Sequence, residues 1–225
     1  MKNLTTTILL CLGCFAASNA QAVSINVLEG ADVTLQGEFF TGGWMGGDVP
    51  ADAQARANSL VDGVFLPQSS QWDQNTVWWD ATQSAASQNN YIMLDLGASF
   101  YIESFIVQAD DNDSYTLEYW DGDSWELAMD IANYDPYGWG LQTRPNPGND
   151  LQQTPLLPIP FLTDRLRFSG NNYDGDGEFA VSEIQAFGYA AEVPEPSSLL
   201  LMGLGMLGFV APSLKKNYRL KRKLG

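Results

Sequence analysis

The stretch Asn172-Tyr173-Asp174-Gly175-Asp176-Gly177-Glu178-Phe179-Ala180-Val181-Ser182-Glu183 gathers oxygen ligands at regular intervals. Counted from Asn172, oxygen donors fall at positions 1, 3 and 5 (Asn172, Asp174, Asp176), glycine at 6 and Glu183 at 12. That is the spacing of an EF-hand calcium loop, with Asn in place of the usual first Asp. The flanks read as strands rather than helices, which argues against a true EF-hand and leaves a plain Asp-Gly turn with solvated acids as the alternative. A second acidic run, Asp110-Asp111-Asn112-Asp113, follows directly on a strand. It has no glycine or distant glutamate to complete a ligand set, so it reads as a solvated turn.

Seven tryptophans supply the other chemistry. Trp78 and Trp79 are adjacent, so on a strand they point to opposite faces and one of them is expected to be exposed. Tyr134, Tyr137 and Trp139 lie in a loop, where an exposed ring can stack on the face of a pyranose. Trp125 follows an Asp-Gly turn and is expected in the core.

Absences narrow the chemistry further. The chain has no histidine, which removes Ser-His-Asp and Cys-His mechanisms and His-ligated zinc. Both cysteines, Cys11 and Cys14, fall in an N-terminal segment read below as removable, so neither a disulfide nor a thiol nucleophile is expected. Residues 23–198 carry all 27 acids against only Arg56, Arg144, Arg165 and Arg167, a formal charge of −23. Such a surface excludes a nucleic-acid partner, which requires lysine and arginine against phosphate. Carboxylate pairs could hydrolyse a glycoside, but no pair is singled out, so no catalytic residue is assigned.

The elements that must position these groups are short strands. Tyr91 to Gly97, Tyr101 to Ala109, Ser114 to Trp120, Ser124 to Met129, Asp164 to Ser169 and Phe179 to Tyr189 alternate or run apolar, with turn residues between them. Asp121-Gly122-Asp123 joins two of them as a hairpin. A short helical turn fits Ala51 to Val61, and Asn133 to Pro160 reads as one long loop. The fold class expected is all-β, a two-sheet sandwich.

Both ends read as addresses. Residues 1–22 combine Lys2, an apolar stretch and small residues up to Ala20 and Ala22, as in a secretory signal peptide. Near the other end Pro194-Glu195-Pro196 precedes 18 uncharged residues, 197–214, and six basic residues within 215–223. At about 1.5 Å per residue that span reaches roughly 27 Å, enough to cross a bilayer, with the basic tail cytoplasmic. The G-x-G-x-x-G at Gly203 to Gly208 lies inside this span, and no strand precedes it. Small-residue helix packing explains it better than a dinucleotide site.

Pro194, Glu195 and Pro196, the short span and the basic cluster resemble the PEP-CTERM sorting signal of Gram-negative exosortase substrates. The resemblance implies processing near those three residues by an exosortase-type enzyme, transient anchoring in the inner membrane, and release to the surface or matrix of an exopolysaccharide-producing cell. Between the ends, Leu60 to Gly63, Trp72 to Trp79, Leu94 to Gly97, Tyr115 to Trp125, Arg165 to Arg167 and Ser182 to Gly188 stand in the order of a discoidin, or coagulation-factor type C, domain. The chain there resembles that galactose-binding-like jelly-roll superfamily, departing from it in the long segment before Arg165. The resemblance implies a structural calcium between Asp62 and Glu183, and a non-enzymatic domain at residues 23–192 that binds carbohydrate or exopolysaccharide. A matrix or adhesion protein that binds other proteins is the alternative, and a carboxylate glycoside hydrolase a distant one.

Overall fold

Alternating runs become nine strands among the described residues of a computed structural model. They are β1 (Ile25–Asn26), β2 (Asp32–Gln36), β3 (Val77–Asp80), β4 (Tyr91–Asp110), β5 (Tyr115–Trp120), β6 (Trp125–Ile131), β7 (Leu141–Arg144), β8 (Phe161–Gly170) and β9 (Glu178–Ala190). One short helix, α1 (Ala53–Ala57), continues into a 3-10 turn at Asn58–Val61. The structure describes residues 23–42, 53–82, 89–134, 140–147, 149, 152–171 and 176–191. The expected signal peptide, the sorting tail and Pro194, Glu195 and Pro196 lie outside them. Residues Val23–Ala191 form one unit.

Every strand pairing is antiparallel, so the domain is all-β as its alternation predicts. Its organiser is β4, 20 residues long. The first part pairs with β2 (Leu35 opposite Ile92) and β8 (Ile92 opposite Phe168). The last part pairs with β9 (Val107 opposite Ile184) and β7 (Val107 opposite Arg144). Pairing with β8 is irregular between Asp95 and Phe100. There Gly97 takes φ +69° and donates its N–H to Asp95 Oδ1 at 2.9 Å. Only glycine adopts that backbone without strain, and the kink carries one strand between two layers. The strands expected at 91–97 and 101–109 are therefore halves of one.

All nine strands are hydrogen-bonded into one continuous sheet, which the two halves of β4 divide into a first layer, β2-β4-β8-β5-β6, and a second with β1 and β3 beside β9, then the end of β4, then β7. Their inner faces bury Ile92, Leu94, Leu117, Leu166 and Phe168 against Phe105, Val107, Val181, Ile184 and Ala186. Aromatic rings join the layers. Tyr115 of the first lies 5.1 Å from Phe168 of its own layer, and 5.6 and 6.3 Å from Phe179 and Trp79 of the second. At about 1.5–3 kcal/mol for each fully buried large apolar side chain, these contacts dominate cohesion.

The described residues of the loop expected at 133–160 carry more regular pairing than their composition predicts. The loop contains β7, and its later part closes a gap along β4. Strand β8 pairs with β4 only as far as Ile102, and β7 begins opposite Val107. Between them Thr154 and Leu157 donate to the carbonyls of Phe105 and Glu103 at 2.9 and 2.8 Å. Unpaired backbone on a central strand must find a partner, and this segment provides it.

Candidate functional site

Glu183 is the residue on which local geometry converges. Gln108 sits opposite Glu183 while Ala109 sits opposite Val181, so Ser182 is an extra residue in β9, a bulge. Consequently Ser182 and Glu183 both reach the strap running from Asp62 to Ser70 and the residues beneath it. Gly63 N–H donates to Glu183 Oε1 at 3.0 Å, and Gln185 Nε2 donates to the same oxygen at 3.2 Å. Gln108 holds both backbone groups of Leu66 at 2.8 Å and receives the Ser182 hydroxyl at 2.7 Å. Gly63 (φ +79°) makes the tight turn that the Asp62-Gly63 pair predicts.

The other oxygen, Glu183 Oε2, is fully buried and accepts no hydrogen bond among the described residues. Burial foremost, and the nearby charge of Asp62, push this carboxyl up to about 8. A leftover buried carboxyl oxygen is donor chemistry that a hard cation takes; Asp62, exposed nearby, has its Oδ1 accepting the Val64 N–H at 2.9 Å. Among the described residues no group of three or more acidic side chains is placed around one point.

The EF-hand spacing does not become a single loop site. Asp176 lies just ahead of β9, where its carboxylate accepts the Glu178 N–H at 3.0 Å and the Asn112 amide at 3.3 Å. Glu183 is seven positions further along the chain, mostly within an extended strand at about 3.3 Å per residue, or roughly 20 Å away. A strand cannot fold its twelfth position back onto its fifth as a helix-flanked loop does. Asn172 and Asp174 lie outside the described residues.

Asp176 instead joins one end of the sandwich, where β3, β4, β6, β8 and β9 begin or finish. The run Asp110 to Asp113, expected to be solvated, is the opposite: Asp110, Asp111 and Asp113 are at most 2% exposed. Arg144, itself buried, accounts for this. Its guanidinium donates to the carbonyls of Gln142, Asp110 and Ala109 at 2.7, 2.8 and 3.1 Å, placing a positive charge under the acidic turn. Burial first, then Asp113, push Asp110 up to about 8. Burial, then Asp176, Asp80 and Asp73, push Glu178 up to about 7. Sequence reading passed over Asp73, Asp80 and Arg144. The available signal was the rarity of arginine, four in 23–198.

The aromatic expectations need correction. Trp78 and Trp79 are 6% and 2% exposed, so neither offers a ring to solvent. Trp79 stacks on Phe179 at 5.2 Å inside the core. Trp78 faces the other way but is covered by Phe40 and Trp72, and its indole N–H donates to the Gly42 carbonyl at 2.9 Å. Both faces of β3 are covered, which strand alternation alone cannot reveal. Tyr134 is 60% exposed at the acidic end, its N–H bonded to the Asp111 carbonyl at 2.7 Å. Tyr137 and Trp139 lie outside the described residues. Trp125, expected in the core, stands on the outer face of the first layer, half-buried beneath Arg167.

Residues 192–211 match the model of the PEP-CTERM protein-sorting motif. The chain carries that sorting motif. No curated protein sequence matches it. Among solved structures it is similar to the family 32 CBM from Clostridium perfringens NanJ in complex with galactose, at 10% identity over 73% of this chain and 99% of that one, TM-score 0.43. It is similar to a chitosan-binding module derived from a chitosanase/glucanase of Paenibacillus, at 10% identity over 72% and 98%, TM-score 0.40. A fucolectin from Morone saxatilis serum is similar at 11% identity over 77% of this chain and 52% of that one, TM-score 0.46.

Proposed function

We propose that this is an exported, surface-sorted, non-enzymatic protein that binds carbohydrate, with the organism's own exopolysaccharide as the natural ligand. Processing by an exosortase-type enzyme at Pro194 to Pro196 would follow transient anchoring in the inner membrane by residues 197–214. The core would be a galactose-binding-like jelly roll, in keeping with the binding modules and lectin it resembles. The observation that carries the binding reading is Tyr134. The residue is 60% exposed, and its backbone N–H anchors it to the Asp111 carbonyl of the acidic turn at 2.7 Å. An exposed, anchored aromatic side chain is what stacking on the apolar face of a sugar ring requires. Tyr137 and Trp139 belong to the same segment and are assigned to the same task.

Calcium is proposed as a structural partner at Asp62 and Glu183. When bound it would supply a positive charge to the Glu183 carboxylate, which the protein's own bonds from Gly63 and Gln185 orient. Calcium should raise the melting temperature of the native protein by several degrees, as binding to the folded state alone does. Glu183→Gln should remove that increment. An unchanged increment in the variant would sink the assignment.

A glycan array probed with residues 23–192, with and without chelator, tests the main reading. Binding weakened by Tyr134→Ala supports it, and no binding to any glycan ends it. Matrix adhesion through protein contacts has one observation in its favour, the exposed Leu156, Ile159 and Leu162 at 66%, 81% and 45%. Concentration-dependent self-association without glycan binding would favour that reading. Turnover of aryl glycosides would revive the hydrolase.

A further inference from the structure

The outer face of the first layer carries a lattice of rings and charge pairs that none of the foregoing uses. Strand register fixes it. One row runs Trp125 opposite Trp120 on β6 and β5, with Arg165 of β8 against Trp120, then Asp95 of β4 and Asp32 of β2. The next runs Leu127, Glu118, Arg167, Met93 and Thr34 across the same five strands. At about 4.8 Å between strands, each row is roughly 19 Å long.

Its chemistry is unusual for a chain so acidic. Trp120 and Trp125 are half-buried and meet edge to face at 5.4 Å. Arg167 lies 4.6 Å from the Trp125 ring centre and Arg165 lies 5.6 Å from that of Trp120. Two of the domain's four arginines thus sit two residues apart on one strand. Neither presents a net positive charge. Arg167 is held by Glu118 through two contacts, at 2.5 and 3.0 Å, and Arg165 by Asp164 at 2.9 Å. Leu127, 61% exposed, extends the apolar surface along β6.

We propose that this face is a second carbohydrate-binding surface, separate from the loop end, for the neutral pyranose rings of an extended polysaccharide. Electrostatics selects that ligand class. An anionic glycan would meet Glu118, Asp164, Asp95 and Asp32 beside each guanidinium, and a cation would meet the guanidiniums. A neutral sugar offers hydroxyls that both donate and accept, and these match arginine–carboxylate pairs whose donors and acceptors are fixed side by side. Each indole has a guanidinium against one face, and the part of the half-buried rings left to solvent supplies the stacking surface, held in place by that cation–π contact before the ligand arrives. A face crossing five strands suits a chain ligand, whereas the loop end suits a chain terminus or a single residue. The proposal rests on the carbohydrate reading above.

The test is affinity electrophoresis and tryptophan fluorescence of the full chain in mild detergent, against soluble neutral galactan and glucan and an anionic alginate. The wild type should be retarded by a neutral polysaccharide with a shift in indole emission. The double variant Trp120→Ala/Trp125→Ala should weaken that retardation about tenfold or more, the scale of a lost ring contact. Trp120→Phe/Trp125→Phe, which keeps rings on the face, should retain most of it and controls for folding. If the alanine variant binds as well as wild type while Tyr134→Ala does not, the sheet-face proposal is overturned and the carbohydrate reading survives. If the wild type binds no polysaccharide, both fall. Retardation by alginate alone would overturn the assignment to neutral sugars, and self-association lost in the alanine variant with glycan binding unchanged would make the face a protein interface.

Discussion

Tyr115 stands where the two layers lock. Its hydroxyl donates to the Ala180 carbonyl and accepts from the Ala180 N–H, both at 3.1 Å, while the ring is fully buried. Removing the hydroxyl strands two backbone groups away from water, so Tyr115→Phe should cost about 2 kcal/mol in urea denaturation despite keeping the ring. Asp110 close by gives a pH signature. Its folded carboxyl titrates at about 8 against an ordinary 3.8. The contribution it makes is complete below the ordinary 3.8 and is lost as pH rises to about 8, because over that range the unfolded carboxyl gives up its proton while the buried one keeps it. Asp110→Asn, neutral at every pH and able to keep the bond from Asp111 N–H, should therefore be close to wild type at or below the ordinary 3.8 and stabilising at and above about 8. A variant less stable than wild type at both would remove this account. None of this is legible at the residue scale from sequence. Asp110 to Asp113 look like a solvated turn until Arg144, over 30 positions away, is seen beneath them.

At the scale of elements, close approach of β4 and β9 has a specific requirement. A Cβ on Gly188 would lie 2.1 Å from the Tyr101 carbonyl oxygen. Neither backbone can yield without breaking the central pairing of the second layer, so Gly188→Ala should destabilise by about 2–3 kcal/mol or misfold outright, as thermal melting would show. A melting temperature equal to wild type would mean that β9 is freer than its register implies. Much of this level was readable in advance. Asp121-Gly122 predicts the β5–β6 hairpin, Gly122 at φ +108° closes it, and β5, β6, β8 and β9 fall within a few residues of their expected limits. What failed were features set by distant partners. The bend that makes β4 one strand, the pairing of Thr154 to Leu157 with it, and the covering of Trp78 depend on contacts far apart in sequence. Likewise Asp62 and Glu183 are 121 positions apart, and only the domain resemblance placed them together.

For the molecule as a whole, charge is the governing quantity. The formal −23 over residues 23–198 is partly drawn inward, since Asp73, Asp80, Asp110, Asp111, Asp113 and Glu183 are all buried. Like charges at this density oppose compaction, and salt screens them. Raising ionic strength from about 0.01 M to about 1 M shortens the Debye length from about 30 Å to about 3 Å, so the melting temperature should climb by a few degrees. A fall would mean that arginine–carboxylate attraction outweighs the repulsion. The placement of β9 has a further consequence, mechanical in kind. A tether pulling on the chain beyond Ala191 would load β9 along its length. That strand is bonded on one side to β4 and on the other to β1 and β3. Tension would have to shear several hydrogen bonds at once rather than peel them singly, and β1, near the other end of the unit, is bonded to β9 itself opposite Phe187 and Gly188. A domain held by its sorted end in flowing water would thus meet drag with a strand paired on both sides.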